Sequence, residues 1–181
     1  AGNFSLIKPG AYFYRYPHQL GLLSFERLIL YLIPLPVISV FYVLNLGMVI
    51  GMNYATWKIT EELFQRPLVS RTAVIMSFGF LPLVFNIMFA YGLMYGLFFG
   101  SFAILFFLRY LRRGKVRNAI LSVLMLTLAY WVRSNNIILI IALSGILILL
   151  TLREKRYRYL LLVLAFFAFP MSLHKATTSY Y

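Results

Sequence analysis

Residues 118–152 read NAILSVLMLTLAYWVRSNNIILIIALSGILILLTL, and this stretch decides the fold. Its two arms, 118–132 and 137–152, are almost wholly apolar, whereas Arg133-Ser134-Asn135-Asn136 between them are polar. A single helix over the whole stretch would measure about 52 Å, far more than the ~30 Å hydrocarbon core of a bilayer. The sequence therefore predicts two membrane helices that are joined by a turn at the polar cluster.

The depth of this turn makes Arg133 the first candidate functional residue. Each arm would measure only about 22–24 Å, so we expect the turn to lie below the membrane surface and not in bulk water. An arginine at that depth is costly unless it faces a cavity or a partner, and such residues commonly mark functional sites. The alternative is that Arg133 only caps the turn or pairs with Glu26, and residue chemistry alone leaves both interpretations open.

The composition of the whole chain is that of a membrane protein. Of its 181 residues, 62% are hydrophobic and 12% are charged, and the mean hydropathy is +0.86. A soluble domain of this size could not bury so much apolar surface. The absence of cysteine excludes disulfides and thiolate metal sites. We therefore predict an all-α, polytopic integral membrane bundle in contact with the lipid bilayer.

Basic residues predict how the chain crosses the membrane. Three connections, 58–71, 109–117 and 153–158, together hold 12 of the 17 Lys and Arg residues, which places them in the cytoplasm by the positive-inside rule. The net charge of +13 is then a signal of topology, and nucleic acid is not an expected partner. About six transmembrane helices follow, at 37–57, 72–90, 91–108, 118–132, 137–152 and 159–173.

The N-terminal apolar segment, Gln19–Pro34, is predicted to be an interfacial helix and not a further crossing. It is short and carries Glu26 and Arg27 at its middle, beside a broad apolar face. Glu26 is expected to pair with Arg15 or Arg27.

The remaining terminal segments complete a single membrane domain over 1–181. Residues 1–18 would form an extracytoplasmic loop, the membrane helices would occupy 37–173, and 174–181 would be a tail on the same outer side. Because the chain begins at Ala1 without an initiator Met, we expect it to be part of a longer protein.

The other ionisable residues suggest little catalytic chemistry. Glu61, Glu62 and Glu154 lie beside the basic connections, where we expect them to be solvated charges. With no aspartate and only two histidines, neither a metal site nor a Ser-His-Asp set is expected. The polar residues on the outer side suit a different task, because arginine binds phosphate through two parallel hydrogen bonds and asparagine amides suit sugar hydroxyls.

Three segments resemble bacterial multi-spanning glycosyltransferases of the GT-C superfamily, the family 39-like or dolichyl-phosphate-mannose-protein mannosyltransferase-like proteins. Residues Arg15-Tyr16-Pro17-His18-Gln19-Leu20-Gly21-Leu22-Leu23 resemble the YPxQLG segment of that family. Phe89-Ala90-Tyr91-Gly92 is similar to its next outer turn, and 128–136 is similar to its LRxN turn. The order and spacing of the three segments match over nearly the whole chain.

This resemblance implies an enzyme of the cell membrane that moves a sugar from a polyprenyl-phosphate carrier to an acceptor on the outer face. It implies that Arg133 binds the carrier phosphate and that Asn135 and Asn136 lie around it. The remaining substrate-binding candidates, which would shape the sugar or acceptor pocket, are Tyr16, His18, Gln19 and Tyr91.

The chain departs from the family pattern in two ways. The catalytic aspartate of the family follows its first transmembrane helix, and this sequence has neither, so we expect no catalytic residue and no activity in this part alone. Leu93 stands where relatives often have an acidic residue, so no metal site is expected here, and a divalent cation is left open only for the full-length protein. Two alternatives stay open: a piece of a transporter or flippase for lipid-linked sugars, and a membrane subunit without catalysis.

Overall fold

The computed structural model describes residues 12–33, 35–79, 85, 87, 92–155 and 157–180. Every regular element in these ranges is a helix, which confirms the predicted all-α membrane bundle. In chain order the α-helices are α1 (Tyr12–Arg15), α2 (Leu20–Leu32), α3 (Val37–Phe64), α4 (Pro67–Phe78), α5 (Gly92–Arg113), α6 (Val116–Val132), α7 (Ile137–Glu154) and α8 (Arg158–Tyr180).

Four of the helices in the described ranges are long and apolar enough to cross a membrane, namely α3, α5, α8 and α7 together with the turn before it. Two further helices, α4 and α6, are apolar but shorter, with 12 and 17 residues. Each of the six predicted crossings overlaps one of these six helices. The second crossing, predicted at 72–90, coincides with α4 as far as Phe78, and most of its remainder lies outside the described residues.

Helices α5 and α6 form the centre of the bundle, with α3 and α4 on one side and α7 and α8 on the other. One buried apolar cluster joins α5, α6, α7 and α8 through Phe107, Leu126, Ile140 and Phe166. A second cluster joins α2, α3, α5 and α6. Between α5 and α6 the buried hydroxyl of Ser122 donates a hydrogen bond of 3.0 Å to the carbonyl of Ala103. This packing holds α5 and α6 in a fixed register.

Helix α2 is in direct contact with the backbone of α6 near the end of that helix. A β-carbon at Gly21 would collide with the carbonyl oxygen of Trp131, so glycine alone permits this approach. The ring of Phe25 meets those of Phe99 and Trp131 edge to face, at 5.9 and 6.4 Å between centroids. With 13 residues, α2 measures about 20 Å, which is too short to cross a bilayer. Its interfacial orientation stays a prediction.

The expectation that Glu62 is a solvated charge is wrong. Its side chain is only 9% exposed and accepts bonds from Arg109, Arg112 and Arg113 at 3.3, 2.9 and 2.7 Å. Arg112 also donates to the backbone carbonyl of Glu62 at 2.9 Å, which caps the last turn of α3. The two helix ends that carry these residues are thereby tied together at the basic end of the bundle.

The last helix is longer than the sequence indicated. The predicted crossing ended at residue 173 and was followed by a tail, whereas α8 continues to Tyr180. Its last turns are held by Trp131, whose indole Nε1 donates a hydrogen bond of 2.8 Å to the hydroxyl of Thr177. That hydroxyl in turn donates to the carbonyl of Leu173 at 2.9 Å, so polar side chains here support the helix.

Candidate functional site

The polar cluster forms the predicted turn. Helix α6 ends at Val132, Arg133 is extended with φ −146° and ψ 104°, and a short 3₁₀ turn leads into α7. The carbonyl of Ala129 accepts two hydrogen bonds, from the backbone N–H of Arg133 at 3.0 Å and from the Nδ2 of Asn136 at 2.8 Å. Asn136 therefore closes the turn, and its amide stabilises the backbone that carries Arg133.

Glycine on the neighbouring helix makes room for this turn. A β-carbon at Gly96 of α5 would lie 2.8 Å from Nδ2 of Asn136, 3.2 Å from Cβ of Arg133 and 3.3 Å from its Cδ. The aliphatic stem of Arg133 thus lies directly on the backbone of α5, and its Nη1 atom is buried. Gly92, one turn earlier, faces the carbonyl of Val132 in the same way, at 3.0 Å from an added β-carbon.

Four of the predicted site residues line one cavity at this end of the bundle. The cavity has a volume of about 80 Å³, and its polar lining residues are His18, Gln19, Arg133, Ser134 and Asn135. Leu22, Gly92 and Val132 supply the apolar part of the wall. Residues that are more than a hundred positions apart in sequence therefore meet around a guanidinium group, in a space that holds several water-sized groups.

The other predicted site residues do not line this cavity. Tyr16 is 44% exposed and contacts His18 edge to face, with 5.9 Å between ring centroids, so it touches a residue of the cavity wall without lining the cavity. Asn136 closes the turn as described above. Tyr91 lies outside the described residues.

One residue near the site was not anticipated by sequence reasoning. His174 on α8 lies edge to face with Tyr130 at 5.6 Å between ring centroids, and it lies within electrostatic range of His18. Helix α8 contacts the short turn Pro17–Gln19, so His174 lies on the helix that packs against the segment carrying His18. No local signal predicts this, because their approach depends on α8 continuing past the predicted end of its crossing.

The expected ion pairs of Glu26 are absent among the described residues: it pairs with neither Arg15, Arg27 nor Arg133. One carboxylate oxygen, Oε1, is buried and accepts no hydrogen bond from that part of the chain. The carboxyl group lies near the buried phenol of Tyr95 on α5. Burial raises the pKa of Glu26 to about 7, because the charged form loses its hydration.

The donor groups near the cavity do not fit a divalent cation. Within the described ranges, no three His or Glu side chains come together in a way that could hold a metal ion. Two neighbouring imidazoles with an arginine beside them leave a cation without the carboxylates that it requires. A guanidinium and amide donors around a small space are groups that can bind an anion.

No family model matches this chain, and neither the curated proteins nor the solved structures gave a match.

Proposed function

We propose that this chain belongs to a membrane glycosyltransferase that takes a sugar from a polyprenyl-phosphate carrier and transfers it on the outer face of the cell membrane. The observation that supports the proposal is the meeting of Arg133 with His18, Gln19 and Asn135 around one cavity. These residues come from two of the three segments on which the resemblance to GT-C enzymes rests.

The chemistry of the cavity suits a phosphate whose carrier lies in the bilayer. The guanidinium of Arg133 can bind two phosphate oxygens at once, and the amides of Gln19 and Asn135 can hydrogen-bond the remaining oxygens or sugar hydroxyls. Helix α6 measures about 25 Å, so a phosphate bound at its end lies at the level where the head of a lipid carrier meets its chain.

The role of the chain in this proposal is to bind and orient the donor. Asn136 and Gly96 fix the conformation of the turn, and the turn positions the side chain of Arg133. The phosphate is therefore held in one place relative to the predicted extracytoplasmic loop. The sequence contains no aspartate, so the proposal assigns donor binding to this chain and not the activation of the acceptor.

The test is a transfer assay with the complete protein in membranes and a polyprenyl-phosphate-linked sugar as donor. Arg133→Ala should abolish transfer per folded molecule, whereas Arg117→Ala, which removes an exposed arginine at the opposite end, should not change it. Normal transfer by folded Arg133→Ala protein would contradict the proposal. Flipping of the donor across vesicles without any transfer would identify a transporter of lipid-linked sugars instead.

A further inference from the structure

A second, larger cavity lies between α3 and α4, at the end of the bundle opposite to Arg133. It has a volume of about 590 Å³ and is lined by Ile50, Asn53, Tyr54, Trp57, Ser70, Arg71, Val74, Ile75 and Phe78. We call this cavity the lateral slot. Helix α5 connects the two ends of the bundle: its Gly92 lines the Arg133 cavity, and its Arg112 binds Glu62 near the end of α3. These two residues are about 30 Å apart along the helix.

The lateral slot combines apolar walls with a cation. Ile50, Ile75 and Phe78 are 57%, 72% and 53% exposed, so the slot opens to the side, where a membrane protein meets lipid chains. Arg71 and Phe78 lie at opposite ends of the part of α4 that lines the slot. They are seven residues apart, which corresponds to about 10 Å along the helix. The slot is thus polar at one end and apolar at the other.

Side chains at this end are typical of the headgroup level of a bilayer. Tyr54 and Trp57 are amphipathic rings at 45% and 42% exposure, and such rings collect at membrane interfaces. The ammonium of Lys58 lies 4.4 Å from the centroid of the Trp57 ring. Basic and aromatic residues therefore surround the opening where Arg71 lies.

The positive charge of Arg71 is not balanced within the described chain. The sequence has four carboxylates in all, and Glu61 is bound by Lys58 at 2.8 Å while Glu62 is bound by three other arginines. Glu154 contacts Tyr159, and Glu26 lies on α2 beside Tyr95. An anion that binds Arg71 would therefore come from outside these residues.

We propose that the lateral slot binds one phospholipid of the bilayer with an anionic headgroup, whose phosphate contacts Arg71 and whose acyl chain lies along the α3–α4 wall. The positive charge of Arg71 complements the anionic headgroup, and the apolar wall next to it, about 10 Å long, suits the acyl chain. This site is separate from the donor cavity and does not rest on the proposed transferase activity.

Trp57 provides a reporter inside the slot, because the two tryptophans of the sequence are Trp57 and Trp131. In the Trp131→Phe protein, we would measure quenching of Trp57 by phosphatidylglycerol or phosphatidylcholine with brominated acyl chains, at equal mole fractions. Brominated phosphatidylglycerol should be preferred about fivefold over brominated phosphatidylcholine. Arg71→Gln should abolish this preference, whereas the matched control Arg117→Gln should keep it.

Three results would overturn the proposal. Equal quenching by both lipids would show that no headgroup is selected. A preference that survives Arg71→Gln in folded protein would assign the selection to other basic residues. Weak quenching by both lipids would show that another protein segment or a second copy covers the slot. Retention of thermal stability by Arg71→Gln, which changes an exposed side chain, verifies that the variant is folded.

Discussion

Gly96 lies directly against Arg133: a β-carbon on the glycine would lie 3.2 Å from Cβ and 3.3 Å from Cδ of the arginine. Helix α5 and the turn after α6 thus meet at backbone distance beneath the side chain on which the functional proposal depends. The side chain of Arg133 can take this position only because residue 96 is small, so Gly96 is a positioning residue for the site.

Substituting Gly96 should separate this positioning role from stability. In Gly96→Ala the new methyl group would displace the amide of Asn136 and the stem of Arg133, so donor binding should fall several-fold. The control is Gly145→Ala on α7, where nothing lies within 4 Å of an added β-carbon. The control should gain about 0.5–1 kcal/mol of helix stability and keep its affinity. Equal affinity in both variants, measured by titration with a polyprenyl phosphate, would contradict the positioning role.

The three arginines on Glu62 predict a difference between two adjacent glutamates. Glu62→Gln should lower the free energy of unfolding by about 1.5–3 kcal/mol, because charge-assisted hydrogen bonds at a mostly buried carboxylate are lost. Glu61→Gln should cost only about 0–1 kcal/mol, since its pair with Lys58 is exposed. Thermal unfolding in detergent compares the two. Similar effects at both positions would show that the Glu62 cluster does not hold α3 to α5.

The buried carboxyl of Glu26 predicts a pH dependence of stability. Burial raises the pKa of Glu26 from 4.5 to about 7, so the folded state favours the protonated form. Its contribution to stability is therefore complete below pH 4.5 and is lost as the pH rises through about 7. The wild type should lose more thermal stability between pH 5 and pH 8 than Glu26→Gln does. Both histidines are present in both proteins, so the comparison isolates Glu26, and identical pH profiles would refute the prediction.

The distribution of basic residues predicts which loops face the cytoplasm. Single cysteines can be placed at Gly114 and Thr178, because the chain has no cysteine of its own. In intact cells an impermeant thiol reagent should label position 178, at the end of α8, and should leave position 114, between α5 and α6, unlabelled. The opposite pattern would invert the orientation of the whole bundle.

The helices could be predicted because each one is a local property of the sequence. Apolar stretches of membrane length, separated by charged or polar turns, determine where a chain can cross a bilayer. The turn at Arg133 followed from this rule, and α2 lies within the predicted segment Gln19–Pro34. The end of α8 did not, because His174 and Lys175 look like the start of a tail in sequence. Contacts with Trp131 extend the helix through Thr177.

The contacts that build the sites are not local, and sequence reasoning found only some of them. Glu62 meets arginines 47 to 51 positions away, and no periodicity in the chain indicates such a meeting. Sequence reasoning groups four residues because they share one predicted side of the membrane, and these four line one cavity: His18, Gln19, Arg133 and Asn135. The same reasoning placed Asn136 in the ligand site, whereas its amide closes the turn, since a residue type does not reveal which way its side chain points.

The most direct test of the phosphate site is equilibrium binding of a polyprenyl phosphate to the purified protein and its position-133 variants. Arg133→Ala should weaken binding by roughly ten- to a hundredfold, because a charge-assisted contact of ~1.5–3 kcal/mol is lost. Arg133→Lys should restore only part of the affinity, since an ammonium keeps the charge but not the planar pair of donors. Arg117→Ala should bind like the wild type. Wild-type affinity in folded Arg133→Ala protein would contradict the account and leave this arginine a residue of the turn.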